Sequence, residues 1–161
     1  MENDIGKPVM ASRRINAPAG AIFTLLADPS RHPEFDGSGM LRPGGTKEVV
    51  SGVGDVFVMK MYFPEMGDYE MHNLVVVYEI DRSIAWEPTM RHVDPVAEAA
   101  ARNGSRWRFD LVADGLDATV VTETYDCSDS PEQVRKSVAN GTAWIDAMHD
   151  TLERLDELCA P

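Results

Sequence analysis

Imidazole and carboxylate groups close together are the usual material of general acid–base chemistry, and several stretches of this chain offer them. LLADPSRHPEFDGSGMLRP, beginning at Leu25, holds Arg31, His32, Glu34 and Asp36 within six positions. EMHNLVVVYEI sets His72 and Tyr78 on one face of an extended segment, together with Leu74, Val76 and Ile80. ATVVTETYD puts Glu123 and Tyr125 on a common face, although Val120, Thr122 and Thr124 form an equally regular inward set. A carboxyl placed in an apolar wall has a raised pKa and can serve as general acid or base. His72, Tyr78, Glu123 and Tyr125 are therefore the candidate catalytic groups. Orienting a ligand, or only closing a hydrogen bond, are the alternatives for each.

The first stretch also has a plain structural reading. Asp28-Pro29 ends a helix, because the residue before proline is pushed out of the helical region. Ser30 can cap a further turn around His32 to Asp36, and Gly37 and Gly39 lead onward into a strand. Metal binding is not expected there: Pro33 stands between His32 and Asp36, and no second cluster has ligand spacing. The chain contains no GxGxxG, P-loop, HExxH or GxSxG, and His32-Pro33-Glu34 has no PCxxC after it, which removes the zinc deaminases. No cofactor is expected.

The elements that must position these groups are legible from periodicity. DVFVMKMYF alternates Phe57, Met59, Met61 and Phe63, SIAWEPTM carries Trp86, and SRWRFDLV alternates Trp107, Phe109 and Leu111 against Arg106, Arg108 and Asp110. With ATVVTETYD and the edge-like VMASRRINAP, these predict strands with one buried face, joined by short turns and hence antiparallel. PAGAIFTLLAD predicts a helix from Pro18 to about Asp28. At the other end, Ser130 as N-cap, Pro131 at the first turn and Gln133 as a capping-box partner introduce Val134, Val138, Gly141, Ile145, Met148, Leu152, Leu155 and Cys159 at spacings of four and three. That stripe predicts one continuous amphipathic helix roughly 40 Å long. Gly141 inside it costs about 1 kcal/mol against alanine, so it is expected to mark a close approach of ligand or sheet.

With 161 residues, 43% hydrophobic and 26% charged, the chain fits one domain, residues 1–161, with a substantial core. A net charge of −12 and no basic cluster beyond Arg13-Arg14 exclude a phosphate-backbone binder. MENDIGKPVMAS has no apolar stretch of a secretory signal, and no apolar run is long enough for membrane insertion. Cys127 and Cys159 form no CxxC pair, which predicts free thiols in a cytoplasmic protein. Oligomeric state is left open, a homodimer included.

The order strand, helix, short helix, antiparallel strands and long closing helix resembles the START/Bet v 1-like (SRPBCC) superfamily, among whose bacterial members are polyketide cyclase/dehydrase-like proteins. RRINAPAGAIFTLLADPSRHPEFDGSG resembles their opening strand, helix and turn, RWRFDLVADGLDATVVTETYD their last two strands, and NGTAWIDAMHDTLERLDEL their closing helix. The resemblance spans nearly the whole chain and is specific for fold, not for function. It implies an α+β helix-grip fold: an antiparallel sheet of six or seven strands wrapped around a long C-terminal helix, with two short helices after strand 1. It also implies a ligand cavity between sheet and helix. Phe57, Met59, Met61, His72, Leu74, Tyr78, Trp86, Trp107, Phe109, Gly141, Trp144 and Met148 would line it; His32, Asp36, Arg91 and His92 would stand at its rim. Nine methionines suit an adaptable lining. EPTMRHVDPVAEAAARNGS, which contains residues 88–104, is long for a strand connection. Asp94 can cap a short helix from Pro95 that Asn103-Gly104 ends, forming either a lid or a surface insertion.

The expected function is to bind a small hydrophobic molecule such as a lipid, polyketide or isoprenoid. A cyclase/dehydrase-type enzyme and a chaperone-activator-like interaction module are the alternatives. Trp107→Ala is expected to cost about 3–5 kcal/mol in urea denaturation; unchanged stability would mean the strand is read one residue out of register.

Overall fold

The computed structural model describes residues 7–160; the expectation made for the segment before Lys7 lies outside them. Seven antiparallel strands form one curled sheet in the order β1-β7-β6-β5-β4-β3-β2: β1 (Val9–Ile15), β2 (Leu41–Arg42), β3 (Val56–Phe63), β4 (Gly67–Glu79), β5 (Ser83–Met90), β6 (Arg106–Ala113) and β7 (Thr119–Asp126). The last six follow one another as a meander. The chain crosses from β1 to the opposite edge through α1 (Ala19–Leu26), a tight turn at Pro29–Arg31 and α2 (His32–Phe35). α3 (Pro95–Ala100) lies between β5 and β6, and α4 (Glu132–Ser137) and α5 (Ile145–Cys159) close the chain. This is the α+β helix-grip fold, with α5 held in the concave side of the sheet.

The packing follows from alternation. Phe57 in β3, Trp86 and Ile84 in β5, Phe109 and Leu111 in β6 and Val121 in β7 are buried on one face, against Ile22, Phe23, Leu25 and Leu26 of α1 and Met148, Leu152 and Leu155 of α5. In β7 the inward set is Thr119, Val121, Glu123 and Tyr125, because the register with β6 pairs Phe109 with Glu123 and Trp107 with Tyr125. Asp28, not Ser30, caps the turn after α1: its carboxylate accepts from the Ser30 amide at 3.1 Å and the Ser30 hydroxyl at 2.6 Å. Asp94 caps α3 as expected, accepting from the Val96 amide at 3.0 Å. Cys127 and Cys159 are free thiols. No helix among the described residues is long and apolar enough to cross a membrane.

Two expectations are corrected. The closing helix is not continuous. After α4 the chain turns through Ala139, Asn140 and Gly141 at φ of 51°, 56° and 93°, passes through a 3₁₀ stretch (Ala139–Trp144), and only then enters α5, 15 residues long. Asn-Gly is the dipeptide that accepts this left-handed backbone at least cost, and a side chain on Gly141 would stand 3.0 Å from both the Tyr125 ring and Val9. Ser130 does not cap α4; its hydroxyl is buried without a protein partner among the described residues. The second correction concerns β4. Its pairing with β5 slips between Val75 and Val77, so Met71, Asn73 and Val75 face inward before the bulge and Tyr78 after it. The face containing His72, Leu74 and Val76 points away from the core. LVVVY is apolar on both faces, so only the bulge reveals the switch.

Gly37, just after α2, lies against α5. Its amide donates to Thr151 Oγ1 at 2.9 Å. A Cβ there would overlap the Ala147 carbonyl and sit 2.6 Å from the Thr151 backbone nitrogen. Gly37→Ala is expected to destabilise the fold by about 1–3 kcal/mol, since backbone cannot yield as a flexible side chain does; urea denaturation measures it, and an unshifted midpoint would mean α2 and α5 can part at no cost.

Candidate functional site

Between the concave sheet and α5 lies a cavity of about 450 Å³, within the range of sites for small molecules. Its wall draws on nearly every element. β3 contributes Met59 and Met61, β4 Tyr69, Met71 and Asn73, and β5 Trp86 and Thr89. β6 and β7 add Trp107, Phe109, Glu123 and Tyr125, and the closing segment adds Trp144, Met148 and Thr151. Trp107, Tyr125 and Trp144 form a contiguous aromatic patch, with centroid separations of 4.6 Å, 5.7 Å and 6.3 Å around the trio.

Of the residues named from sequence for the lining, the structure brings together Met59, Met61, Trp86, Trp107, Phe109, Trp144 and Met148. Phe57 is buried behind the wall, edge-on to His32 and Trp86 at 5.5 Å and 5.2 Å. Gly141 packs on Tyr125 instead of facing the cavity. His72 and Leu74 are on the other side of the sheet, and Tyr78 lies deeper in the core against Phe23 at 5.5 Å. Of the four acid–base candidates, Glu123 and Tyr125 face the cavity and His72 and Tyr78 do not. Asn73, Tyr69, Met71 and Thr151 were missed. Asn73 had a signal, as the one amide within an apolar strand; its side-chain nitrogen donates to the Phe57 carbonyl at 3.3 Å.

His32 is not a rim residue. It is fully buried, stacked on Trp86 at 5.6 Å, and its Nε2 meets the Leu26 carbonyl at 2.8 Å. A carbonyl only accepts, so Nε2 carries the proton. Burial lowers the His32 pKa and keeps the ring neutral. Its role is to join the end of α1 to the aromatic wall. Asp36 and His92 line the cavity. Arg91 turns away, with its guanidinium 3.9 Å from Glu70 on the outer face.

Glu123 is the unusual group. It is buried beside Phe109 and Tyr125, and its Oε2 meets no hydrogen-bond partner among the described residues. Burial, reinforced by the charge of Asp36, pushes its pKa well above the ordinary carboxyl range. Burial likewise raises the Tyr125 phenol. Trp144 Nε1 is a second buried wall atom without a partner that meets hydrogen-bond geometry. No Lys or Arg lines the cavity. Among the described residues no group of three or more His, Cys, Asp or Glu converges as a metal site would require.

The 88–104 segment covers one side. β5 pairs with β6 only as far as Trp86 opposite Trp107, and beyond that point His92, Ala101 and Asn103 complete the cavity wall. α3 itself is exposed. The segment is fastened to the outer sheet face by Glu98, 2.8 Å from His72 Nδ1 and accepting from the His92 amide at 3.0 Å. Arg102 donates to the backbone carbonyls of His72 and Glu87. His72 thus belongs to this fastening.

No family model matches the chain. The uncharacterized protein Rv0088 of Mycobacterium tuberculosis is 30% identical over 118 residues, which is 73% of this chain and 46% of that protein. The chain therefore spans about half the length of the curated relatives it matches. Among solved structures, ginseng major latex-like protein 151 of Panax ginseng superposes with a TM-score of 0.69 at 12% identity, covering 98% of this chain and 99% of that one. MLL2253 of Mesorhizobium loti superposes at 0.63 with 19% identity, covering 94% and 96%. The structural likenesses show the fold: the chain shares the helix-grip architecture of these proteins.

A carboxyl whose pKa is raised by folding holds its proton in the native state and loses it on unfolding. Its contribution is therefore complete at low pH and is lost as pH rises above the ordinary glutamate value. Wild type is expected to lose stability relative to Glu123→Gln by up to about 1.4 kcal/mol per pH unit above about pH 4. Urea denaturation of both proteins up to about pH 8 measures the difference; parallel curves would mean that Glu123 is ionised in the fold.

Proposed function

We propose that the chain binds a small hydrophobic molecule in the cavity between sheet and α5. The observation that carries this reading is the wall itself: about 450 Å³ bounded by aromatic and thioether side chains, with a few polar groups facing inward. A space of that size with an apolar wall gives an apolar molecule surface to bury, at about 25 cal/mol per Å² before ordering costs. Methionines in the wall adapt to ligand shape. The fold likeness to a major latex-like protein is consistent with this and supplies no ligand.

A second reading, a cyclase or dehydrase-type enzyme, is favoured by Glu123 alone. Enolising a ketone and eliminating water require a base for the α-proton and an acid for the carbonyl oxygen. A protonated Glu123 supplies the acid, with Tyr125 two residues along the strand; His72 and Tyr78 supply nothing, since neither faces the cavity. Catalysis would need the base from Asp36 or from the substrate itself.

Native mass spectrometry of the full chain purified from its source organism, followed by solvent extraction, tests both. A single co-purifying apolar compound is expected. Release of a compound lighter by one water than the one loaded would favour the enzyme. A protein that stays at its ligand-free mass after incubation with lipid, isoprenoid and polyketide mixtures would overturn both readings.

A further inference from the structure

The polar groups of the cavity wall are unequally engaged. Asn73 donates to the Phe57 carbonyl and the His32 Nε2–H to the Leu26 carbonyl. Asp36 accepts from the Ser38 hydroxyl at 2.6 Å and Thr151 from the Gly37 amide. Two buried side-chain atoms of the wall lack a protein partner of strict hydrogen-bond geometry among the described residues, Glu123 Oε2 and Trp144 Nε1, and of these Trp144 Nε1 has the Tyr125 hydroxyl beside it. An indole N–H can only donate. A lone carboxyl in an apolar wall with no cation beside it keeps its proton, and then it donates too. The Glu123 carboxyl is thus a donor without an acceptor, whereas the Trp144 N–H has the Tyr125 oxygen beside it. With no Lys or Arg in its wall and two carboxyls there, Glu123 and Asp36, the cavity is unfit for an anion.

We propose that the molecule this cavity takes is a neutral apolar compound bearing a carbonyl oxygen, and that the Glu123 carboxyl hydrogen-bonds that oxygen. A carbonyl oxygen accepts hydrogen bonds without bringing a donor of its own that would need a partner, which a hydroxyl would. A hydrophobic amine is the contrary case. It would pair only with an ionised Glu123, and burial in an apolar wall disfavours that form. The inference rests on the reading of the chain as an apolar-ligand binder and adds which end of the ligand is read, and by what.

All three tryptophans of the chain, Trp86, Trp107 and Trp144, line the cavity, so intrinsic tryptophan fluorescence of the full chain reports occupancy. The probes are one bicyclic hydrocarbon with four ends: decalin, β-decalone, decahydronaphthylamine and decahydronaphthoate. Decalone is expected to bind at least about tenfold tighter than decalin, the difference one good hydrogen bond makes, and decahydronaphthoate weakest of the four. In Glu123→Leu the decalone affinity is expected to fall to the decalin value measured on the same variant. Glu123→Gln retains an N–H donor at that position and is expected to restore the preference. Equal binding of decalone and decalin by wild type would overturn the carbonyl assignment while leaving the hydrophobic site standing. Tightest binding by the amine, with its advantage lost in Glu123→Gln, would overturn it in favour of a cation site. A fluorescence unmoved by all four probes would remove the apolar-ligand reading itself, and the carbonyl assignment with it.

Discussion

The architecture depends on the contact between Gly37 and α5. The two backbones pack closely there, and helix side chains bond the segment: Thr151 Oγ1 accepts from the Gly37 amide, and the Arg154 guanidinium donates to the Asp36 carbonyl at 2.7 Å. Nothing larger than hydrogen fits on Gly37. The junction therefore sets how closely the first two turns of α5 approach the segment after α2. The rest of α5 is held by Leu152 and Leu155 in the core and by the Arg13–Asp156 pair at 2.8 Å. That pair is largely exposed and contributes little to stability, so it orients more than it binds. The cavity lies along the first turns of α5, where Trp144, Ala147 and Met148 stand in its wall with residues of β6 and β7.

The break at Asn140-Gly141 completes the enclosure. An unbroken helix running back from α5 would have continued straight past the sheet. The left-handed turn instead redirects the chain, presses Gly141 on Tyr125 and Val9, and lets Val134 of α4 reach the cavity wall. The same turn sets Trp144 beside Trp107 and Tyr125. One backbone conformation, available at least cost to Asn and Gly, thus determines both the shape of the cavity end and the composition of its aromatic patch.

How far the sequence could be read follows from where polar residues mark a face. In β3 and β6, Lys60 and Arg108 label the outer side, and the opposite alternation leads directly to Met59, Met61, Trp107 and Phe109. In β4 the run Leu74 to Tyr78 is apolar on both faces, and a bulge shifts the period by one residue midway; composition cannot show this, so His72 was assigned to the wrong side. β7 was ambiguous for a related reason: its β-branched residues suit either face, and only pairing with β6 selects Glu123 and Tyr125. In the closing segment, apolar residues continue at spacings of three and four straight across the break, since spacing counts residues and is blind to dihedral angles. Asn140-Gly141 was the only written sign of it. His32 shows the opposite limit, a polar residue in a turn-rich stretch that tertiary packing buries entirely.

Six of the nine methionines, Met40, Met59, Met61, Met71, Met90 and Met148, share this one cavity wall. A thioether is among the most readily oxidised side chains, and its sulfoxide is polar, chiral and a strong hydrogen-bond acceptor. A chamber lined in this way would change solvent character with the redox history of the protein: reduced, its wall is apolar; oxidised, it would acquire S=O dipoles able to compete for the Glu123 proton. Repair by sulfoxide reductases would return it to the apolar state, so the polarity of this wall would follow the oxidant load of its surroundings as well as the shape of the fold.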